Sequence, residues 1–357
     1  MVINFILPAL GTSGGIDVVY KYVDLFLKAG HDVCVYKEIK ARNMHRYKSP
    51  IKNKVHQVYC TMKGIIYRKN NVHPCDCIVW KINEQTIRKA DAIIATAWPT
   101  AFVVSNLPDK CGLKYYFIQD YEIWDNKELV KQSYRLPLRK IVISSWINNC
   151  LKKDMGIGPF PIVYNGLDLE MFHKSNVHKN NQEIGFLMLN HILPKKGVTN
   201  GLKVFEAIRL KYPQAKLRMF GMCDRRNLPS YVEYYQNPSK KEIVNLYSMS
   251  DIFIFPSIEE GWGLTPLEAM ACGCVVVGTE TGFVLDFGKN NYNMMISKPN
   301  DLKRMIYNIE ELLEKDDLKN KISENALKDI GILDWKKSCD SFINCILNYE
   351  NLNNMQH

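Results

Sequence analysis

The stretch Pro-Ser-Ile-Glu-Glu-Gly-Trp-Gly-Leu-Thr-Pro-Leu-Glu-Ala-Met-Ala-Cys-Gly, residues 256–273, decides the fold of this chain. The apolar residues 252–255 before it predict a buried strand. Gly261 and Gly263 let the backbone of the next loop come close to a ligand, and Pro266 favours the first turn of a helix. The N-terminus of a helix in this position favours an anion such as a diphosphate.

Two carboxylates lie in this stretch, Glu260 in the loop and Glu268 inside the predicted helix. Carboxylates repel phosphate, but they accept hydrogen bonds from the hydroxyl groups of a ribose or a sugar. Each residue taken alone has a simpler interpretation, in which Glu260 stabilises the helix start and Glu268 is a solvated helix residue. The complete stretch favours the ligand site.

Apolar runs alternate with helical patterns on both sides of this stretch. The chain opens with an apolar run at 2–7, a glycine-rich turn, a helical pattern at 16–29 and a second apolar run at 33–36. This order is typical of a parallel α/β sheet. Further strands are predicted at 92–96, 115–118, 141–144, 184–189, 216–220, 252–255 and 275–277, and further helices at 198–211, 240–248, 266–271, 302–313, 317–329 and 335–347.

The length of 357 residues suggests two domains. We predict an α/β protein with two doubly wound, Rossmann-like domains, 1–168 and 169–334, that face an interdomain cleft. The polar segment 174–182 is the predicted linker, and the C-terminal helix in 335–357 is expected to pack back on the first domain. Ligands of such sheets lie at the carboxyl ends of the strands.

The composition is that of an ordinary globular protein, with 46% hydrophobic and 24% charged residues. No stretch approaches the roughly 20 apolar residues that span a bilayer, and the N-terminus lacks the basic start of a signal peptide. The 11 cysteines include no Cys-x-x-Cys pair, so we expect reduced, mostly buried thiols rather than zinc ligands.

Most of the positive charge is concentrated in one segment. The chain has 47 Lys and Arg and 37 Asp and Glu, which gives a net charge of +10. Residues 37–70 contain ten basic residues, beginning with Lys37, and one acidic residue, Glu38, interleaved with aromatic and aliphatic side chains. Two interpretations stay open, a solvated basic face and a patch for an anionic membrane surface. Nucleic acid is not expected as a partner, because no nucleic-acid-binding motif accompanies the charge.

The spacing from Glu260 to Glu268 resembles the Glu-x7-Glu signature of the family 4 retaining glycosyltransferases, which have the GT-B fold. Other segments agree with this family in the same order along the chain. They are Gly14-Gly15, Tyr164-Asn165-Gly166-Leu167-Asp168, Pro194-Lys195-Lys196-Gly197 and Tyr247-Ser248-Met249-Ser250-Asp251. The resemblance covers most of the chain and is specific in 245–288.

The resemblance implies a role for each matching residue. Glu268 would hold the donor ribose, Glu260 would contact the donor sugar, and Lys196 would neutralise the leaving diphosphate as charge develops on its oxygen. Such a clamp replaces a metal in this fold, so neither a metal nor another cofactor is expected. The remaining implied donor-binding residues are Gly14, Gly15, His191, Trp262, Gly263 and Leu264.

This sequence departs from the family pattern in three places. His191 stands where the family often has Arg, and a histidine is only partly charged near neutral pH. Asp286 holds the acidic position of a Gly-Gly-x-x-Glu stretch whose second glycine is replaced. Gln119, Asp120 and Glu122 stand where many members have an acceptor-side His, and their string resembles a bacterial rhamnosyltransferase branch. Asp120 would accept the proton of the acceptor hydroxyl, or else it caps a helix.

The implied activity is sugar transfer with retention, from a nucleoside-diphosphate sugar (dTDP-rhamnose or a UDP-sugar) to a hydroxyl of a glycan or lipid-linked glycan. The expected setting is surface polysaccharide synthesis, in a cytoplasmic protein bound peripherally to the inner face of the cell membrane. One alternative is another enzyme on the same fold, such as an epimerase. A second is a catalytically degenerate subunit that binds nucleotide sugar and supports an active partner.

Overall fold

The computed structural model describes residues 1–8, 10, 13–40, 49–67, 73–123, 126–175, 182–225 and 227–349. The chain forms two compact units. The first comprises Met1–Ile143, Ile147–Tyr164 and Ser338–His357, and the second comprises Ser144–Trp146 and Asn165–Lys337. The first unit therefore ends before the predicted boundary at 168. Most of the predicted linker 174–182 lies outside the described residues, since 176–181 are not described.

The first unit contains six strands and six helices in the described part of the chain. The strands are β1 (Val2–Ile6), β2 (Asp32–Glu38), β3 (Asp76–Val79), β4 (Ala92–Ala95), β5 (Leu113–Ile118) and β6 (Arg139–Val142), and the helices are α1 (Gly14–Lys28), α2 (Pro50–Tyr67), α3 (Trp98–Asn106), α4 (Lys127–Arg135) and most of α5 (Ser145–Met155) and α12 (Trp335–Leu347). All strand pairs are parallel, in the order β3-β2-β1-β4-β5-β6.

The second unit repeats this arrangement. Its strands are β7 (Ile184–Leu189), β8 (Ala215–Gly221), β9 (Glu233–Gln236), β10 (Ile252–Phe255), β11 (Val275–Thr279) and β12 (Met295–Ser297), and its helices are α6 (Val198–Lys211), α7 (Lys240–Met249), α8 (Leu264–Ala271), α9 (Val284–Phe287), α10 (Leu302–Glu314) and α11 (Asp316–Ile330). They form a parallel sheet in the order β12-β11-β10-β7-β8-β9. Both orders are the doubly wound one, so the predicted fold class is confirmed.

Aromatic packing joins the last helix to the first unit. Phe342 of α12 is fully buried, and its ring centroid lies 4.7 Å from that of Phe117 and 5.0 Å from that of Tyr22. The Tyr115 hydroxyl donates a hydrogen bond to the carbonyl of Ile346, at 2.7 Å. The C-terminal helix thus supplies part of the core of the first unit, while Phe186, Phe205 and neighbouring aliphatic side chains fill the second core.

Helix α2 and three short strands are absent from the sequence prediction. The α2 residues are part of the basic segment 37–70, and they form 18 residues of helix. Strands β3, β9 and β12 have three or four residues each, which is too short for a clear apolar run. No helix in the described part of the chain is long and apolar enough to cross a bilayer.

Lys37 does not belong to an exposed basic face. Its side chain is 2% exposed and forms an ion pair with Asp76, with 2.8 Å between Nζ and Oδ2. The Tyr20 hydroxyl also donates to Asp76, and such additional hydrogen bonds offset the desolvation cost of a buried pair. The described basic surface of 37–70 is therefore smaller than the sequence suggests, and residues 41–48 and 68–70 lie outside the description.

One pair of cysteines differs from the expectation of reduced thiols. Cys34 on β2 and Cys77 on β3 form a disulfide, with an S–S distance of 2.22 Å. The two residues are 43 positions apart and become neighbours because β2 and β3 pair in register, which spacing alone did not predict. The other cysteines in the described residues form no disulfide.

Replacing Phe342 with alanine should destabilise the first unit by about 3–5 kcal/mol, because a fully buried aromatic side chain leaves a cavity. Urea unfolding followed by far-UV circular dichroism measures the effect. The matched control is Leu347→Ala on the same helix, where the side chain is 63% exposed and the change should stay within about 0.5 kcal/mol. Equal effects of the two substitutions would contradict this packing.

Candidate active site

The two central strands of the second sheet, β7 and β10, carry the candidate site at their carboxyl ends. They pair in parallel, with Phe253 opposite Leu187. The strand order reverses between them, because the next strands along the chain, β8 and β11, lie on opposite sides. In doubly wound sheets this switch point opens a crevice for ligands.

Close backbone contacts fix the two loops that leave these strands. The Lys195 carbonyl, after β7, accepts hydrogen bonds from the amides of Ile258 and Glu259, after β10. Gly197 has a φ of +65°, and a Cβ atom there would lie 1.9 Å from the Pro256 carbonyl oxygen. Only glycine fits such a corner, so the Lys-Gly segment is held against the exit of β10.

Lys196 and Glu260 meet at this corner. The Lys196 Nζ lies 2.5 Å from Glu260 Oε2, and the two side chains are 18% and 14% exposed. The Ser257 hydroxyl donates a longer hydrogen bond, at 3.5 Å, to the same carboxylate oxygen. The two residues with separate implied roles, toward phosphate and toward sugar, are thus in direct contact.

His191 lies after β7, and its surroundings lower the pKa of its side chain. Burial lowers the pKa of its imidazole, and the positive charges of Lys196 and Lys195 lower it further, against an opposing effect of Glu260. Its Nδ1 atom accepts a hydrogen bond from the Leu193 amide, at 3.0 Å. The surroundings of His191 therefore favour its neutral form.

Helix α8 begins beside the same loop. Gly263 precedes it with a φ of +98° and offers no capping side chain, and Trp262 and Leu264 flank it. The first amides of a helix have no partner within the helix, so this end favours an anion. A Cβ atom on Gly282 would lie 2.4 Å from the Trp262 carbonyl oxygen, which fixes the Trp262 backbone against a second loop.

Glu268 lies within α8 and faces the buried Tyr247 of α7. The Tyr247 hydroxyl donates to Glu268 Oε2, at 3.0 Å. Burial raises the pKa of the Glu268 carboxyl to about 7, against opposing effects of Tyr247 and Lys240. The simpler interpretation of Glu268 as a solvated helix residue is therefore wrong. The contact of Glu268 with Tyr247 is not predicted from the sequence, although Tyr247 begins a segment that agrees with the family pattern.

Gly14 and Gly15 begin helix α1 in the first unit. The Ser13 hydroxyl caps this helix by accepting from the Ile16 amide. A Cβ atom on Gly14 would meet nothing within 4 Å, and one on Gly15 would meet the Gln119 amide at 3.7 Å. The fold itself does not require glycine at position 14, so the free space there suits the approach of a ligand.

Asp120 and Glu122 follow β5 and differ in their surroundings. Glu122 Oε2 accepts from the Trp98 amide at 2.8 Å, at the start of α3, and from the Tyr116 hydroxyl at 3.5 Å. Its carboxylate therefore stabilises the start of α3. Asp120 Oδ1 accepts from the Tyr121 amide, and its side chain is half-buried.

Two further observations concern the second unit. Asp286 Oδ2 accepts from the Ser145 amide, at 3.0 Å, which accounts for an acid at this position without a ligand. The Thr281 hydroxyl is buried, and it has no hydrogen-bond partner among the described residues.

The described residues contain no cluster of three or more His, Cys, Asp or Glu side chains that could hold a metal ion.

Comparison with known proteins shows which enzymes the second unit resembles. Residues 170–329 match the family model of the glycosyl transferases group 1. The chain is 28% identical over 189 residues to an N,N'-diacetylbacillosaminyl-diphospho-undecaprenol alpha-1,3-N-acetylgalactosaminyltransferase of Campylobacter jejuni, covering 50% of this chain and 49% of that protein. It is 27% identical over 182 residues to the capsular polysaccharide biosynthesis glycosyltransferase CapM of Staphylococcus aureus, covering 46% of this chain and 47% of that protein.

Solved structures extend the likeness of fold to nearly the whole chain. The crystal structure of Anabaena HepE in complex with UDP and glucose matches with a TM-score of 0.72 at 14% identity, covering 98% of this chain and 100% of that one. By contrast, the chain spans about half the length of the curated relatives it matches. Residues 170–329 are therefore similar to the glycosyl transferases group 1.

Proposed function

We propose that the chain transfers a sugar from a nucleoside-diphosphate sugar to a hydroxyl of a glycan or lipid-linked glycan, with retention of configuration. The observation that carries the proposal is the contact of Lys196 with Glu260 at the switch point of the second sheet. A UDP-sugar is the favoured donor, because a protein of the same fold has been solved with UDP and glucose.

The donor would exchange the Lys196–Glu260 contact for two new ones. A diphosphate is an anion and suits the ammonium group of Lys196, whereas sugar hydroxyls donate hydrogen bonds and suit the Glu260 carboxylate. Each half-buried charge therefore keeps a partner when the donor binds. As the sugar–phosphate bond breaks, Lys196 and the first amides of α8 would stabilise the charge on the leaving oxygen.

The ribose of the donor would donate hydrogen bonds to the carboxylate of Glu268. Two vicinal hydroxyls can donate to the two oxygens of a carboxylate, but a protonated carboxyl offers one acceptor fewer. The pKa of about 7 means that the free site is partly protonated at neutral pH, so hydroxyl donors would favour its charged form.

The acceptor would bind to the first unit at the end of β5. Asp120 is the proposed group that receives or orients the acceptor hydroxyl, next to Gln119, whose amide covers Gly15. The relatives named for an undecaprenol-linked substrate and for capsular polysaccharide synthesis support a glycan acceptor in surface polysaccharide assembly. We place the reaction on the inner face of the cell membrane, with the protein bound peripherally, and propose that it needs no metal.

Nucleotide binding gives the first test. Among UDP, GDP, dTDP and ADP without metal, UDP should raise the melting temperature, since a ligand at 100 times its dissociation constant adds about 2.7 kcal/mol. Glu268→Ala should weaken this effect, and Glu280→Ala, at an exposed carboxylate, should not. A response to dTDP alone would instead favour a rhamnosyl donor, and no response to any nucleotide would contradict the proposed function.

Kinetics test the roles of Lys196 and Glu260. Lys196→Ala and Glu260→Gln should each lower kcat for donor hydrolysis by about 100-fold, as loss of a transition-state donor does, and the double variant should be non-additive because the residues touch. Glu259→Gln is the control, one residue away in the same loop. Hydrolysis that survives both single substitutions would contradict this site.

The Glu268 carboxyl should make stability depend on pH. Its pKa is higher in the folded than in the unfolded protein, so folding favours the protonated form. Stability is therefore lost as the pH rises from about 4.5 through 7. Relative to the wild type, Glu268→Gln should gain up to about 3 kcal/mol between pH 5 and pH 8.5. Urea unfolding at both pH values measures this gain, and a pH-independent difference, as expected for Glu280→Gln, would contradict the raised pKa.

A further inference from the structure

Helix α2 exposes an apolar stripe to solvent. The stripe consists of Ile51, Val55, Val58, Met62 and Ile65, which are between 46% and 77% exposed. They follow each other at three- and four-residue spacings, so they share one face of the helix. Tyr59 and Ile66 lie beside the stripe and are also exposed. A helix on a globular domain ordinarily turns such a face toward the core.

The opposite face of α2 is small and polar, and it packs on the protein. Asn53 and Gly64 are buried. A Cβ atom on Gly64 would lie 2.7 Å from a Leu10 side-chain carbon and 3.1 Å from the Ile39 carbonyl oxygen. This close approach fixes the rotation of the helix, so the apolar stripe is held outward by packing rather than by chance.

Lysines border the stripe on both sides. At about 100° per residue, the stripe with Tyr59 and Ile66 covers a sector about 120° wide. Lys54 falls on one border of this sector, and Lys52 and Lys63 fall on the other, all exposed. The sequence has no Asp or Glu between residues 39 and 75, so no acid on the helix neutralises these charges.

We propose that α2 binds an anionic lipid bilayer, lying in its surface with the apolar stripe toward the acyl chains and the bordering lysines at the phosphates. This is the arrangement of interfacial amphipathic helices, and lysines near such a surface strengthen the binding. The proposal deepens the proposed function by naming the surface that meets the membrane. It depends on the proposed function only to explain why this protein would bind a membrane.

Other partners fit this face less well. A second copy of α2 would bring lysine borders together with no acidic residue to pair them, whereas helix pairs use opposite charges beside the apolar seam. A nucleic acid would match the lysines, but its phosphate backbone offers nothing apolar to the central stripe. The membrane matches both features.

Vesicle flotation of the full chain tests the proposal. The wild type should float with vesicles of phosphatidylcholine and phosphatidylglycerol, and much less with phosphatidylcholine alone. Val58→Glu/Met62→Glu should lower binding at least tenfold. Leu27→Glu/Leu347→Glu, the same charge change at exposed leucines outside the stripe, should bind like the wild type. Lys52→Gln/Lys54→Gln/Lys63→Gln should bind weakly and lose the preference for phosphatidylglycerol.

Three outcomes would overturn the proposal. They are a wild type that does not float, a Val58→Glu/Met62→Glu variant that floats normally, and a control that loses as much binding as the stripe variant. A wild-type dimer that becomes monomeric in the stripe variant, without vesicle binding, would assign the face to a second copy. Flotation needs neither donor nor acceptor, and the UDP melting shift of the stripe variant reports the donor site separately. The failure of one proposal is therefore distinguishable from the failure of the other.

Discussion

The contact of Lys196 with Glu260 depends on the strand order of the second sheet, and the rest of the candidate site depends on that contact. The two residues follow β7 and β10, which are neighbours in space although two strands separate them in sequence. Because the chain leaves these strands toward opposite sides, the corner between them lies at the point where doubly wound sheets open a crevice. A cation and a carboxylate can therefore share a half-buried place that a ligand can still enter.

The partial burial of Lys196 and Glu260 determines whether they can exchange partners with a ligand. If the pair were fully solvated, its attraction would contribute little free energy. If it were fully buried, separating the two charges would cost more free energy than contacts with a ligand recover. Between these limits, exchange of partners with a donor is feasible. Glu268 follows the same principle from a different starting point. Burial raises the pKa of its carboxyl to about 7, and hydrogen bonds from the hydroxyls of a ribose would favour the charged form again.

Local sequence patterns predict the limits of strands and helices. Strands 184–189 and 252–255 and helix 198–211 have their predicted limits, because a buried parallel strand reads as a continuous apolar run. Contacts between distant residues are different. Neither the burial of Lys37 against Asp76 nor the tyrosine beside Glu268 follows from spacing. The family pattern supplied Glu268 itself, but only the fold reveals the surroundings that set its pKa.

Helix α2 shows a further limit of pattern analysis. Periodicity identifies which residues share a face, but it does not say whether that face turns inward, and here packing at Gly64 turns it outward. The exposed stripe contributes nothing to the core of the first unit, so only a partner can remove it from water. The second unit needs rigid loops, since its charged groups must hold fixed positions. The first unit instead carries a surface whose apolar side chains gain from burial outside the protein. This difference is a physical reason for the proposed donor chemistry and the proposed membrane contact to lie in separate units.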